Sequence, residues 1–213
     1  MKKIILLFSI FALLFNTQSF AQKDTTKIDG IIYSFVPQYL IIKGIRIDIE
    51  KQITPRSFIQ FSPQFYLGEN NQNSIDSYSN NFFSDDDEDF NKILGGGLNV
   101  YHKIFANDDF LNNGVYFSYG LSYSYYEIEY YEDFLGSTID NEATIQKYGG
   151  DILIGYQLFF KNKLSLDIYT GIGSRFSNMD TNGSTRNKFN SNYSGYNYQG
   201  NLLHLGFRIG LIL

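Results

Sequence analysis

The chain contains no cysteine, no tryptophan and only three prolines. Without cysteine there is no disulfide framework, no thiolate metal site and no N-terminal cysteine for lipid attachment. A basic excess is missing too. Seventeen Lys and Arg stand against 22 Asp and Glu, a formal charge of -5, so the sequence offers no electrostatic footprint for nucleic acid. No stretch after residue 21 resembles a transmembrane helix, which needs about 20 apolar residues in a row. What is present is enough for a folded chain: 43% hydrophobic residues, with 18 Tyr and 20 Phe among them, and 19 Gly.

The N-terminus reads as a processing signal. Lys2 and Lys3 give a positive start, Ile4 to Phe15 is predominantly apolar, and Ser19-Phe20-Ala21 supplies small residues two apart before Gln22. This is the pattern of a secretory signal peptide over residues 1–21, and the run is too short for a retained anchor. Residues 22–213 are therefore expected to form the exported domain.

That domain alternates with a period of two, the mark of strands with one apolar face. From Leu203 every odd residue is apolar through Leu213, while His204, Gly206, Arg208 and Gly210 lie between them. Ile45, Ile47 and Ile49 alternate with Arg46, Asp48 and Glu50, and Val115 to Tyr125 repeats the pattern against Ser118, Gly120, Ser122 and Ser124. Further alternations place strands at about 29–36, 40–52, 57–68, 92–104, 114–128, 144–160, 164–175 and 200–213. Connections 53–56, 105–113 and 161–163 are short, whereas 69–91, 129–143 and 176–199 are long and polar. In an up-and-down arrangement the long connections share one end, and the short ones share the other with both termini.

The face opposite the apolar one decides the surrounding solvent. A soluble sandwich or lipocalin would point its apolar face inward and cover the outside with charge. Here the other face is rich in Gly and Ser with a few charges of mixed sign: Arg46, Asp48, Glu50, Asp151, Asp167, Arg175, Arg208 and His204. Buried ions need partners, so these eight are expected to form a structural charge network inside a narrow barrel. Tyr33, Phe65, Tyr123, Tyr125, Tyr148, Phe159 and Phe160 lie at strand ends, where membrane barrels carry aromatic girdles.

On these dyad repeats, and on the terminal strand Gly206-Phe207-Arg208-Ile209-Gly210-Leu211-Ile212-Leu213, residues 29–213 resemble the small eight-stranded outer membrane β-barrels of Gram-negative bacteria, of the OmpA/OmpX type. The resemblance implies an all-β fold, a single antiparallel up-and-down transmembrane barrel, located in the outer membrane. It also implies outer membrane lipids and the barrel assembly machinery as partners, the latter reading the terminal strand. Members typically end in an aromatic residue, whereas this chain ends in Leu213. The length admits eight strands and not sixteen, and an eight-stranded barrel is just wide enough inside for side chains to fill it, so a general diffusion pore is excluded.

Local motifs add little chemistry. Ser84-Asp85-Asp86-Asp87-Glu88-Asp89 offers hard oxygen ligands, but its spacing does not match a calcium loop and a solvated acidic loop is expected. Asp180-Thr181-Asn182-Gly183 reads as a tight turn. Gly95-Gly96-Gly97 lies inside a strand with no following Lys or helix, which points to close backbone approach and not a phosphate loop. Of the two histidines, His102 falls on the outward parity and His204 on the inward one, and neither has a serine beside it in sequence. Residues 187–201, with Asn187, Asn190, Asn192, Asn197 and Tyr193, Tyr196 and Tyr198, suit a contact with a glycan or a partner protein. The expectation is a non-enzymatic barrel without cofactor or metal whose loops 69–91, 129–143 and 176–199 carry interaction, adhesion or docking. A narrow channel and a lipid-modifying enzyme are the alternatives.

Overall fold

The computed structural model describes residues 30–69, 91–106, 114–134, 137–160, 163–183, 189–190 and 195–213. The signal peptide over 1–21, the acidic run Ser84–Asp89, and Asn187, Asn192 and Tyr193 lie outside the described residues. Eight strands follow one another: β1 (Ile31–Phe35), β2 (Gly44–Thr54), β3 (Ser57–Glu69), β4 (Lys92–Phe105), β5 (Gly114–Phe134), β6 (Ser137–Phe160), β7 (Leu164–Thr181) and β8 (Gly200–Ile212). Each pairs antiparallel with its sequence neighbours, and β1 pairs with β8, so the sheet closes into an up-and-down barrel. This is the all-β, eight-stranded architecture expected from the alternation.

The register fixes the shape of the ring. Stepping sideways from Ile31 leads through Lys51, Ile59, His102, Tyr119, Ile152 and Ile172 to Leu203. Yet Ile31 itself hydrogen-bonds to Leu213, through its N–H at 2.9 Å and its carbonyl at 3.0 Å. One circuit therefore advances ten residues along β8, from Leu203 to Leu213. For eight strands, that stagger corresponds to a strand tilt of about 40°, within the range of closed barrels. It leaves an interior that side chains fill.

Alternation sorts the side chains in or out. On β2, Arg46, Asp48 and Glu50 are buried while Ile45 and Ile47 are exposed. On β8, Arg208 is buried while Leu203, Leu205, Phe207, Ile209 and Leu211 face outward. The outer wall is thus apolar from strand to strand, and the interior holds the ions. Phe159 departs from its expected place in the girdle. It follows the odd, inward parity of β6 and packs with Ile32, Phe58 and Phe105 in an apolar cluster at the end that holds the termini.

Three boundaries differ from the sequence expectation. Residues 40–43 do not begin β2. Residues 40–42 belong to a 3-10 helix, Pro37–Ile42, whose first turn accepts Pro37 because proline lacks an N–H and has a helical φ. Lys43, at φ 53°, ends the helix in the left-handed region. Residues 129–134 and 137–143, expected as loop, are strand. β5 and β6 pair all the way to Phe134 opposite Ser137, past the last partners on their outer sides, Lys92 opposite Glu129 and Ala143 opposite Thr181. The segment therefore projects from the ring as a two-stranded ribbon. β7 likewise runs on to Thr181, so 176–181 is strand and not loop.

Candidate functional site in the barrel lumen

The eight inward residues singled out from the sequence fall into two ion clusters. The lower one joins β2, β3, β4, β7 and β8. Arg46 donates from Nε and Nη2 to the two oxygens of Asp48, at 2.6 and 3.2 Å, and from Nη1 to the Tyr39 hydroxyl at 3.0 Å. From β8, on the other side of β1, Arg208 donates to Asp48 at 3.0 Å, to the Gln60 side-chain carbonyl, and to the Tyr116 hydroxyl at 3.1 Å. It also lies 3.6 Å from Glu50 and 3.4 Å from Asp167. Asp48 thus bridges the two guanidiniums, and Glu50 and Asp167 flank Arg208.

The third cation of this cluster is Lys103, which the sequence reading missed. Its ammonium donates to Glu50 at 3.0 Å, Gln157 at 2.8 Å and Asp167 at 2.9 Å, and lies 4.0 Å from the centre of the Tyr116 ring. With it the cluster holds three cations and three anions, all buried, a neutral arrangement that a low-dielectric lumen demands. Lys103 follows the inward parity of Asn99 and Tyr101 and was legible on that ground. The glycines at 95–97 hide the alternation of β4, because they leave the apolar face without contrast.

The second cluster centres on Asp151. Arg175 donates to both of its oxygens, at 2.5 and 3.0 Å, Tyr101 donates to it at 2.7 Å, and His204 Nε2 lies 2.9 Å away. The structure does not bring Asp151, Arg175 and His204 into the lower cluster. The Arg46 guanidinium lies 5.8 Å from the Tyr101 ring centre, so that ring stands between the two.

Apolar layers close both sides. Phe58 and Phe105 meet edge to face at 5.5 Å toward the termini. At the other end Tyr66, Ile93, Tyr126, Ile128, Tyr130 and Ile145 form a cluster that two residues from the β7–β8 connection enter. Phe189 packs on Tyr130 at 5.4 Å, and Tyr196 packs on Tyr126 at 5.2 Å and donates to the Ile42 carbonyl at 3.1 Å. Tyr196 and Asn197 are buried in the mouth of the lumen and are not displayed for a glycan or protein, which corrects the expectation for that part of 187–201. Tyr198 donates to the Asn201 carbonyl at 2.9 Å, and Asn190 accepts from the Gln199 N–H at 3.0 Å. Between this plug and the lower cluster lie two cavities, of about 200 and 140 Å³.

The remaining candidates have structural partners. Gly95 and Gly97 face inward, where a Cβ would come within 2.6 Å of the Tyr126 ring and 2.5 Å of the Ser124 hydroxyl. Thr181 donates to the Glu142 carbonyl at 2.8 Å, and Asn182 accepts from the Glu142 N–H at 2.8 Å, so the turn after β7 extends the ladder with β6. His102 is on the outer wall, its Nδ1 2.9 Å from the Tyr119 hydroxyl and its ring edge-on to that phenol.

No protein-family model matches the chain, and no curated protein matches it. Solved structures similar to it include two of one kind. One is the crystal structure of Acinetobacter baumannii CarO2, at 10% identity and a TM-score of 0.36, covering 86% of this chain and 97% of that one. The other is the crystal structure of Acinetobacter baumannii CarO, at 8% identity and a TM-score of 0.37, covering 90% of this chain and all of that one.

Proposed function

We propose that the chain is an integral outer membrane β-barrel, exported by residues 1–21, with a lumen plugged against flow from end to end and a non-enzymatic role exercised from its loop end. One observation carries this reading: the polarity of the barrel is inverted. Leu94, Leu121, Ile154, Ile168, Ile172 and Leu205 stand more than half exposed on the wall, while Arg208, Lys103, Asp48 and Glu50 are at most 1% exposed inside it. A water-soluble protein rarely exposes an apolar patch beyond a few hundred Å². Lipid is the solvent in which such a wall is stable, and the β1–β8 pairing closes the ring so that it does not end in two open edges.

The lumen residues support a structural role. His204 is held by Asp151, which also takes Arg175 and Tyr101, so the imidazole anchors an ion cluster and is not aimed at a nucleophile. Partners under this reading are outer membrane lipids at the wall, the barrel assembly machinery at the terminal strand, and a protein or glycan at the β3–β4 and β7–β8 connections and the β5–β6 ribbon. Refolding tests the reading. The protein lacking residues 1–21 should fold in detergent micelles or vesicles and show a heat-modifiable gel mobility. A heat-stable folded monomer in plain buffer would replace it with a soluble barrel.

A further inference from the structure

The barrel wall is incomplete on one side of its loop half. β1 has only five residues and pairs with β8 from Ile209 onward, so the edge of β8 from Gly200 to Arg208 has no strand beside it. The 3-10 helix Pro37–Ile42 occupies that place between β8 and β2. Its outer residues Leu40 and Ile41 are exposed, as are Leu203 and Leu205 on β8, at 79% and 78%. The cavity of about 200 Å³ opens here, since its walls include Leu203 and Leu205 from outside the barrel and Arg46, Tyr101 and Tyr169 from inside.

The inner wall of this cavity has donors to spare. The Tyr39 hydroxyl accepts from Arg46 at 3.0 Å, and the Tyr169 hydroxyl accepts from Gln38 at 2.9 Å. Neither phenol proton meets an acceptor among the described residues. In this orientation of its amide Gln38 Oε1 is buried without a partner; turned over, that oxygen accepts from the Tyr169 O–H and the Gln38 N–H becomes the leftover donor. No carboxylate lines the cavity, while Arg46 and His204 do. Gln38 reaches Tyr169 across Gly206, where a Cβ would collide with both side chains, so glycine keeps this crossing open.

We propose that this gap is a lateral portal for a single-chain anionic amphiphile, a long-chain carboxylate, which seats its head in the cavity and lays its tail outward past Leu203 and Leu205. The carboxylate is an acceptor-only group and matches two undirected phenol protons, while Arg46 and His204 beside them are already engaged by Asp48 and Asp151. A volume of about 200 Å³ equals the bulk share of only a few waters, at about 30 Å³ each, and is too small for a whole long acyl chain. The rest of the chain must leave through the wall, and the rim it meets there is leucine and isoleucine. This inference rests on the membrane reading above.

The test uses the refolded barrel in non-ionic micelles and an undecanoic acid carrying a dansyl group at the end remote from its carboxylate. Palmitate should displace the probe, whereas methyl palmitate and butyrate should each compete at least tenfold more weakly. The Tyr39→Phe/Tyr169→Phe double variant should bind the probe at least tenfold more weakly while keeping its heat-modifiable mobility. An ester as effective as the acid would mean simple adsorption to the apolar wall and overturn the proposal. Butyrate as effective as palmitate would mean that the tail adds nothing to binding and would overturn the placing of the tail along the wall. If the double variant does not fold, the comparison of acid, ester and butyrate on the wild type decides the matter. Failure of the wild type to need detergent would count against the membrane reading, not against the cavity.

Discussion

Lys103 and Asp167 lie 64 positions apart in sequence, yet their charged ends meet at 2.9 Å with both side chains withdrawn from solvent. The pair ties β4 to β7, three strands apart round the ring, and Glu50 on β2 joins the same ammonium at 3.0 Å. Such contacts are possible because an eight-stranded ring is narrow enough for one lysine to span it.

Removing this ammonium should be costly. Lys103→Met leaves Glu50 and Asp167 buried with one cation fewer, and a destabilisation of about 3–5 kcal/mol is expected. Lys92 and Glu129 form the contrasting pair, 3.4 Å apart and about half exposed, and Lys92→Met should cost at most about 1 kcal/mol. Urea unfolding of both variants in micelles checks the difference. Equal, small effects would mean that water reaches the lumen ions.

The same layer should block ions. Purified protein in a planar bilayer is expected to show no steady unitary current, because the charges of the lower cluster are spent on one another and apolar clusters cover it on both sides. Regular current steps that persist after repurification would establish the channel reading in its place.

Much of this was legible from alternation alone, because a period of two assigns a face to every residue once the strand is known. Arg46, Asp48, Glu50, Asp151, Asp167, Arg175, Arg208 and His204 all point inward, as their parity required. Parity does not give the stagger of ten residues, and that stagger divides the eight into two clusters. Polar composition concealed the ribbon at 129–143. A strand that leaves the barrel has no apolar face to reveal it, and its pairing is inherited from the ladder below. Leu40, Ile41 and Ile42 read as strand because a run of apolar residues is ambiguous between strand and helix when short.

The ribbon is anchored at Tyr130, which is buried against Phe189 and hydrogen-bonded to Thr181 at 2.7 Å. Tyr130→Ala should free the tip without unfolding the ring. Amide exchange is expected to quicken at least tenfold from Tyr130 to Asp133 and from Ile139 to Ala143, with Tyr116 to Tyr123 unchanged. Exchange that quickens equally throughout β5 would mean that the ribbon and the ring unfold together.

The wall gives the last prediction, because depth in a bilayer is something a soluble protein does not sense. Ile168 lies near the middle of the membrane-facing part of β7, exposed on the outside between Tyr156 and Phe207. Leu164 opens the same strand on the same face, opposite Phe160 and Leu211. Arginine at the bilayer midplane costs about 2–4 kcal/mol, and near the interface about 0–1. Ile168→Arg should therefore lower the unfolding free energy in vesicles by the larger amount and Leu164→Arg by the smaller. Both side chains point away from the lumen, so neither substitution disturbs the ion clusters, and the difference between them reports only the surroundings. If the two variants prove equally stable, the outer wall meets water at both depths, and the lipid-facing assignment fails.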